Sequence, residues 1–171
     1  MGEVSSRLLG MWRGVRLVWM FRRLTAPAWR AVQKASLEAA RLGHRDLGSE
    51  HLLMGIMTTE GASAALVLRQ LGVEFEDVLS HIENMVWNVG RSSTGKRFCT
   101  ENFIRSIDLA LEEAERMGRP FAGTEHLLLG LLRDERSVAA NLLAVYQVTT
   151  ERVREQIAAL MVLEPLQRAG R

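Results

Sequence analysis

The sequence lacks the raw materials of several protein classes. A single cysteine, Cys99, removes any disulfide framework and any four-thiolate zinc site. Three prolines and 14 glycines are too few for collagen-like or low-complexity sequence. No GxxxxGK[ST] phosphate loop is present, because Thr94-Gly95-Lys96 lacks the upstream glycine and the following hydroxyl. Within residues 1–23 the longest apolar run, Leu17 to Phe21, is too short for a signal-peptide core or a membrane span.

What remains is average globular composition, with 47% apolar and 25% charged residues. A chain of 171 residues can bury about 70% of its unfolded surface in one core. The lone thiol fits a reducing compartment, so a cytoplasmic location is expected. Residues 1–23 hold five arginines against Glu3, and the net charge is +2, so the rest of the chain is slightly acidic. A nucleic-acid binder concentrates Lys and Arg on its folded domain; no nucleic-acid partner is expected.

An internal repeat is the strongest signal. Shifting the chain by 75 residues superposes Thr25–Val73 on Thr100–Val148 with 18 of 49 positions identical, where about three would match by chance at average residue usage. The best-matched stretches are GSEHLLMG at 48–55 against GTEHLLLG at 123–130, and Glu38, Ala39, Arg41, Gly43 against Glu113, Ala114, Arg116, Gly118.

Each copy reads as four helices. Ala28, Val32, Ala35, Ala39 and Leu42 recur at helical spacing, and Phe103, Ile107, Ala110, Ala114 and Met117 keep the same register. Thr25 and Thr100 stand at N-cap positions, Pro27 falls in the first turn, and Gly43 and Gly118 supply left-handed stops. A short second helix starts at Ser49 or Thr124, whose hydroxyl is expected to take an orphan N–H, with Glu50 or Glu125 on the positive end of the helix dipole. A third helix carries Ala64, Ala65 and Leu68, or Ala139, Ala140 and Leu143, and Gly72 stops it in the first copy. A fourth uses Phe75, Val78, Leu79, Ile82 and Val86, or Val153, Ile157 and Leu160. The expected fold is all-α: tandem duplicated four-helix repeats forming one pseudo-twofold eight-helix domain, with no strands.

The polar run Asn88–Arg97 reads as a linker. The domain then covers 20–162, with the first copy at 24–87, the linker at 88–97 and the second copy at 98–162. A tail occupies 163–171. Residues 1–19 form a basic extension in which Leu8, Trp12, Val15 and Trp19 fall at helical spacing among arginines. That pattern belongs to a helix that lies on an anionic membrane or a partner, or to a segment that packs weakly.

Few residues suggest chemistry. His51 and His126 each follow a glutamate, but adjacent residues on a helix point about 100° apart and no metal-ligand spacing accompanies them; packing or a hydrogen bond to a loop is expected, and no metal or cofactor. His44 and His81 have no partner readable from the chain. Cys99 has no histidine at nucleophile spacing and reads as a packing residue. No enzyme is expected.

The repeat resembles the Clp N-terminal domain, or Clp repeat domain, found at the front of ClpA-, ClpB- and ClpC-type AAA+ unfoldases. EAARLGHRDLGSEHLLMGIM at 38–57 and EAERMGRPFAGTEHLLLGLL at 113–132 carry the resemblance. The ClpC type commonly opens with Met, Phe, two residues, an apolar residue and Thr, which Met20-Phe21-Arg22-Arg23-Leu24-Thr25 matches. On that reading residues 1–19 are an added extension or an overcalled start, and the chain, ending at Arg171 without ATPase modules, is a stand-alone monomeric module.

The resemblance implies binding of substrate polypeptides, adaptor proteins and phosphoarginine marks, and contact with Clp unfoldase or protease components. Its implied ligand residues are Thr25 with Glu50 and Thr100 with Glu125. Read from the residues alone, the same four side chains are helix caps and first-turn acids. The resemblance is weakest in the second copy, where Arg119 stands for His44, Tyr146-Gln147 for Leu71-Gly72, and the loop Asp134-Glu135-Arg136 lacks the usual glycines of an adaptor surface. A membrane tether through residues 1–19 is the alternative function.

Overall fold

The computed structural model describes residues 16–85 and 98–168, so the linker expected at 88–97 and most of the extension at 1–19 lie outside the described residues. Residues 16–22 are helical. The first copy then runs α1 (Ala26–Arg41), β1 (Asp46–Leu47), α2 (Ser49–Met57), α3 (Ser63–Gln70) and α4 (Phe75–Met85). The second runs β2 (Phe98–Cys99), α5 (Glu101–Arg116), α6 (Thr124–Arg133), α7 (Val138–Val145) and α8 (Thr150–Arg168). The eight expected helices are present.

α1 and α5 start as their sequences dictate. Thr25 Oγ1 accepts the Ala28 N–H at 3.4 Å, and Thr100 Oγ1 accepts that of Phe103 at 3.2 Å. Each cap is worth about 1 kcal/mol. Ala28, Val32, Ala35 and Ala39 bury one face of α1, and Phe103, Ile107, Ala110 and Ala114 bury the matching face of α5. Leu42 and Met117 share the spacing of those faces, but they stand at the helix C-caps, where Leu42 is half-buried and Met117 exposed.

The tightest packing is between the first two helices of each copy. A Cβ on Gly55 would lie 2.2 Å from the Ala31 carbonyl oxygen, and one on Gly130 would lie 2.2 Å from that of Ser106. Only glycine lets α2 cross α1, and α6 cross α5, at that approach. Small Ala35 and Ala110 sit on the facing turns.

Two findings depart from the sequence expectation, and both join the copies. First, strands exist: β1 and β2 pair in parallel, with Leu47 opposite Cys99, and Leu24 forms a parallel bridge with Ala122. The Thr100 N–H donates to the Leu47 carbonyl at 2.9 Å, and the Thr25 N–H donates to the Ala122 carbonyl at 2.9 Å. These are one contact repeated by the pseudo-twofold. The lead-in to the first helix of each copy lies along the lead-in to the second helix of the other. Two-residue strands are too short to show any alternation, so sequence could not reveal them.

Second, Ser49 and Thr124 do not cap their own helices. The N-caps are Gly48 and Gly123. The Ser49 hydroxyl instead accepts the Ala139 N–H of the second copy at 3.2 Å, and Thr124 Oγ1 accepts the Ala64 N–H of the first at 3.4 Å. Each copy therefore satisfies an orphan donor in the first turn of the other's third helix.

The second copy contains a charged hub. Glu113, almost fully buried, meets Arg116 and Arg133 at 3.1 Å each and Arg154 at 2.9 Å, tying α5, α6 and α8 together. Its counterpart Glu38 is more exposed and pairs with Arg41 at 2.8 Å. Gln147, at the position of Gly72, holds φ 54° where Gly72 holds 80°.

Candidate functional site

The four residues singled out for ligand contact lie along the two seams between the copies. Through the backbone bonds just described, Thr25 sits beside Ala122, three residues ahead of Glu125. Thr100 sits beside Leu47, three residues ahead of Glu50. The expected sets combined each threonine with the glutamate of its own copy. The backbone aligns each threonine with the helix start that carries the other copy's glutamate.

Both carboxylates fold back over their own helix N-termini. A Cβ on Gly48 would meet Glu50 Oε1 at 2.2 Å, and one on Gly123 would meet Glu125 Oε1 at 2.3 Å, so each carboxylate rests directly over a glycine and would swing aside for any larger residue. This is the favourable end of the helix dipole for an anion. The side chains stay partly open to solvent, at 15% for Glu50 and 20% for Glu125.

Each glutamate is flanked by a buried histidine. His51 Nδ1 lies 2.9 Å from the Gly48 nitrogen and 3.1 Å from Glu50 Oε1, and His126 Nδ1 repeats both distances with Gly123 and Glu125. In the neutral ring Nδ1 accepts the backbone N–H and the ring proton resides on Nε2. In the protonated ring Nδ1 donates to the carboxylate. Each histidine thus caps the N–H of the glycine at its own helix N-cap, the half of a capping box that a glycine N-cap allows.

The two sites differ at their far edges. In the first copy His51 Nε2 meets His44 Nδ1 at 2.7 Å, so His44 has a partner that its sequence did not reveal. In the second copy Arg119 replaces His44, and His126 Nε2 is buried with no hydrogen-bond partner among the described residues. Ser63 donates to Glu125 at 2.7 Å, while the corresponding position near Glu50 is Val138, which has no donor to give.

The carboxyls respond in opposite directions. Burial pushes Glu50 above the usual carboxylate range, only partly opposed by its own backbone N–H and Ser49. Burial also works against ionised Glu125. There, bonds from His126, Ser63 and its own N–H, together with the charge of protonated His126, outweigh burial and pull the carboxyl down to about 2.

His44, Glu50 and His51 bring possible ligand atoms within 4.8 Å of one another. Cation binding would require His51 to surrender the proton it presents to His44 or the Gly48 N–H it accepts, whereas a metal-bound histidine normally donates through its other nitrogen. The cluster is accounted for by helix capping. Burial pushes the half-buried Cys99 thiol up, which suits a packing residue. His81, also without a partner in the sequence reading, lies 3.1 Å from the Tyr146 hydroxyl and 2.9 Å from the Asp77 carbonyl. A separate groove of about 520 Å³ beside the α2–α3 turn is lined by Met57, Glu60, Leu66, Arg69 and Leu160 among others.

The duplicated fold has a family match. A sequence profile of the Clp repeat (R) N-terminal domain matches residues 23–144 and 98–169. The chain belongs to the Clp repeat N-terminal domain family. It is 34% identical over 142 residues to the chaperone protein ClpB of Oceanobacillus iheyensis, and equally to the negative regulator of genetic competence ClpC/MecB of Bacillus subtilis. In both cases the alignment covers 83% of this chain but 17% of the relative. A solved complex of the ClpV N-domain with VipB peptide shares the fold, with a TM-score of 0.64 at 18% identity over 77% of this chain and 81% of that one.

The Clp repeat assignment rests on residues that the structure uses. Glu-His-Leu-Leu, common to both copies, supplies the carboxylate, the capping histidine and two core leucines. Sequence reasoning missed Ser63 and His44. Ser63 acts across 62 positions of chain, and His44 lies seven residues before His51 with a turn between, so neither obeys a helical spacing.

Proposed function

We propose that this Clp repeat domain is a non-catalytic receptor that binds polypeptides of the Clp quality-control system through its two seams. It would serve as an adaptor, decoy or regulator of a Clp unfoldase-protease, with adaptor proteins and substrate polypeptides as partners and phosphoarginine as the mark it reads. The observation that carries the reading is the crossed alignment of Thr25 with the Glu125 helix start and of Thr100 with the Glu50 helix start.

Each seam gathers what a phosphorylated guanidinium needs. A carboxylate accepts the N–H fork, and threonine hydroxyls with helix N-terminal N–H groups donate to the phosphoryl oxygens. A charge-assisted bond of this kind contributes about 1.5–3 kcal/mol. The solved ClpV N-domain with a bound peptide supports the broader receptor role. The other groups in the seams are occupied in capping, which supports binding over catalysis.

Calorimetry with free phosphoarginine tests the mark. Heat is expected with the full chain and is expected to disappear in the Glu50→Ala, Glu125→Ala double variant; no heat at millimolar ligand overturns phosphoarginine as the ligand. Co-precipitation with an unfolded polypeptide lacking the mark tests the receptor role separately, and failure of both would remove the proposal.

A further inference from the structure

Val18, Trp19, Met117 and Phe121 are four of the exposed large apolar side chains, and Arg23 links the segments that carry them. The Arg23 guanidinium lies 4.9 Å from the centre of the Trp19 ring and pairs with Glu115 at 2.8 Å, two residues before Met117. The Arg23 carbonyl accepts the Ala122 N–H at 2.8 Å, which places Phe121 alongside. Leu24 and Ala122 turn into the core at the bridge, so by strand alternation Arg23 and Phe121 share the outer side. Trp19 is 54% exposed and Phe121 51%.

The charge on this face is one-sided. Residues 16–23 and 115–122 hold five arginines, Arg16, Arg22, Arg23, Arg116 and Arg119, against one acid, Glu115. Arg16 pairs with Asp108 and Arg116 with Glu113. Arg22 and Arg119 are exposed and have no ion-pair partner among the described residues.

The fold does not demand this composition. At the positions related by the repeat, Ala40 stands for Glu115, His44 for Arg119 and Asp46 for Phe121. The related stretch 40–47 holds two arginines, Arg41 and Arg45, against Asp46, so its charge balance is alike, but it has no aromatic residue. The chain just before the described residues continues the pattern with Arg7, Trp12 and Arg13.

We propose that this face docks the domain on an anionic lipid bilayer. Exposed tryptophan and phenylalanine seat at the boundary between headgroups and acyl chains, while arginines keep their charged ends among the headgroups. An acidic leaflet supplies the counter-charge that Arg22 and Arg119 lack within the domain. No described helix is long and apolar enough to cross a membrane, so the contact is superficial. The proposal is independent of the ligand reading of the seams.

The test is co-sedimentation of the full chain with vesicles of phosphatidylcholine and phosphatidylglycerol, and with vesicles of phosphatidylcholine alone. Binding to the anionic vesicles is expected, weakened by salt, with none to the neutral ones. The exposed pair Arg22→Glu, Arg119→Glu should lower the partition about tenfold or more, and Trp19→Ser, Phe121→Ser should do the same with helical circular dichroism unchanged. Absence of binding, equal binding to neutral vesicles, or wild-type binding by both double variants overturns the proposal. Retention by an acidic peptide resin without vesicle binding also overturns it.

Discussion

Ser63 in the first copy donates a hydrogen bond to Glu125 in the second at 2.7 Å, and Val138, its repeat-related counterpart, offers nothing to Glu50. That hydroxyl joins the bond and charge of His126 in separating two acids that the duplication made alike. Glu125 is drawn down to about 2, whereas Glu50 is pushed up by burial.

Ser63→Val should raise the Glu125 pKa part of the way from about 2 towards its ordinary 4.5, because the bond and charge of His126 remain. A carboxyl depressed on folding stabilises the protein above its unfolded pKa and loses that contribution as pH falls through the folded value. Wild type loses it between pH 4.5 and about 2; the variant should lose it nearer 4.5. Carboxyl carbon NMR titration reads the pKa, and melting temperature against pH reads the linkage. An unmoved Glu125 titration would refute the role given to Ser63.

Arg119→His should supply the partner that buried His126 Nε2 lacks, in the arrangement already seen between His44 and His51. A stabilisation of about 1 kcal/mol is expected. Denaturant unfolding at neutral pH measures it, and a destabilised variant would contradict the pairing.

Gln147→Gly should stabilise by about 1 kcal/mol, because Gln147 holds φ 54° at a helix end where the first copy uses Gly72. Thermal melting should shift upward with no change in helical content. A lower melting temperature would mean that the Gln147 side chain contributes more than its backbone costs.

Glu113→Gln leaves Arg116, Arg133 and Arg154 around a neutral group. Arg116 and Arg154 are more than half exposed and can turn to solvent, so the loss is that of charge-assisted bonds to a buried carboxylate, about 1.5–3 kcal/mol. Chemical denaturation should show a loss of that order, while Glu38→Gln at the repeat-related, less buried position should cost well under half as much. Equal losses at the two sites would dismiss the hub.

Much of the fold was legible because helical periodicity is local. The faces of α1 and α5, the Thr25 and Thr100 caps and the Gly43 and Gly118 stops all follow from neighbours within four residues. What escaped is what crosses between the copies. The Ser49 hydroxyl was assigned to its own helix because only that helix is visible in sequence, yet its acceptor role is to Ala139, 90 positions away. The candidate site shows the same division: its four residues were readable as repeated polar groups at helix starts. Their crossed alignment was not, because β1 and β2 are shorter than any detectable pattern.

The reciprocity of the seams has a structural corollary. Ser49 gives Ala139 the acceptor that Thr124 gives Ala64, and Thr100 leans on Leu47 as Thr25 leans on Ala122. Such self-complementary exchange is the geometry of an isologous homodimer. A four-helix unit on its own would leave these donors and acceptors unmet, and a second copy in the same polypeptide meets them while leaving each half free to differ, as Ser63 and Val138 do.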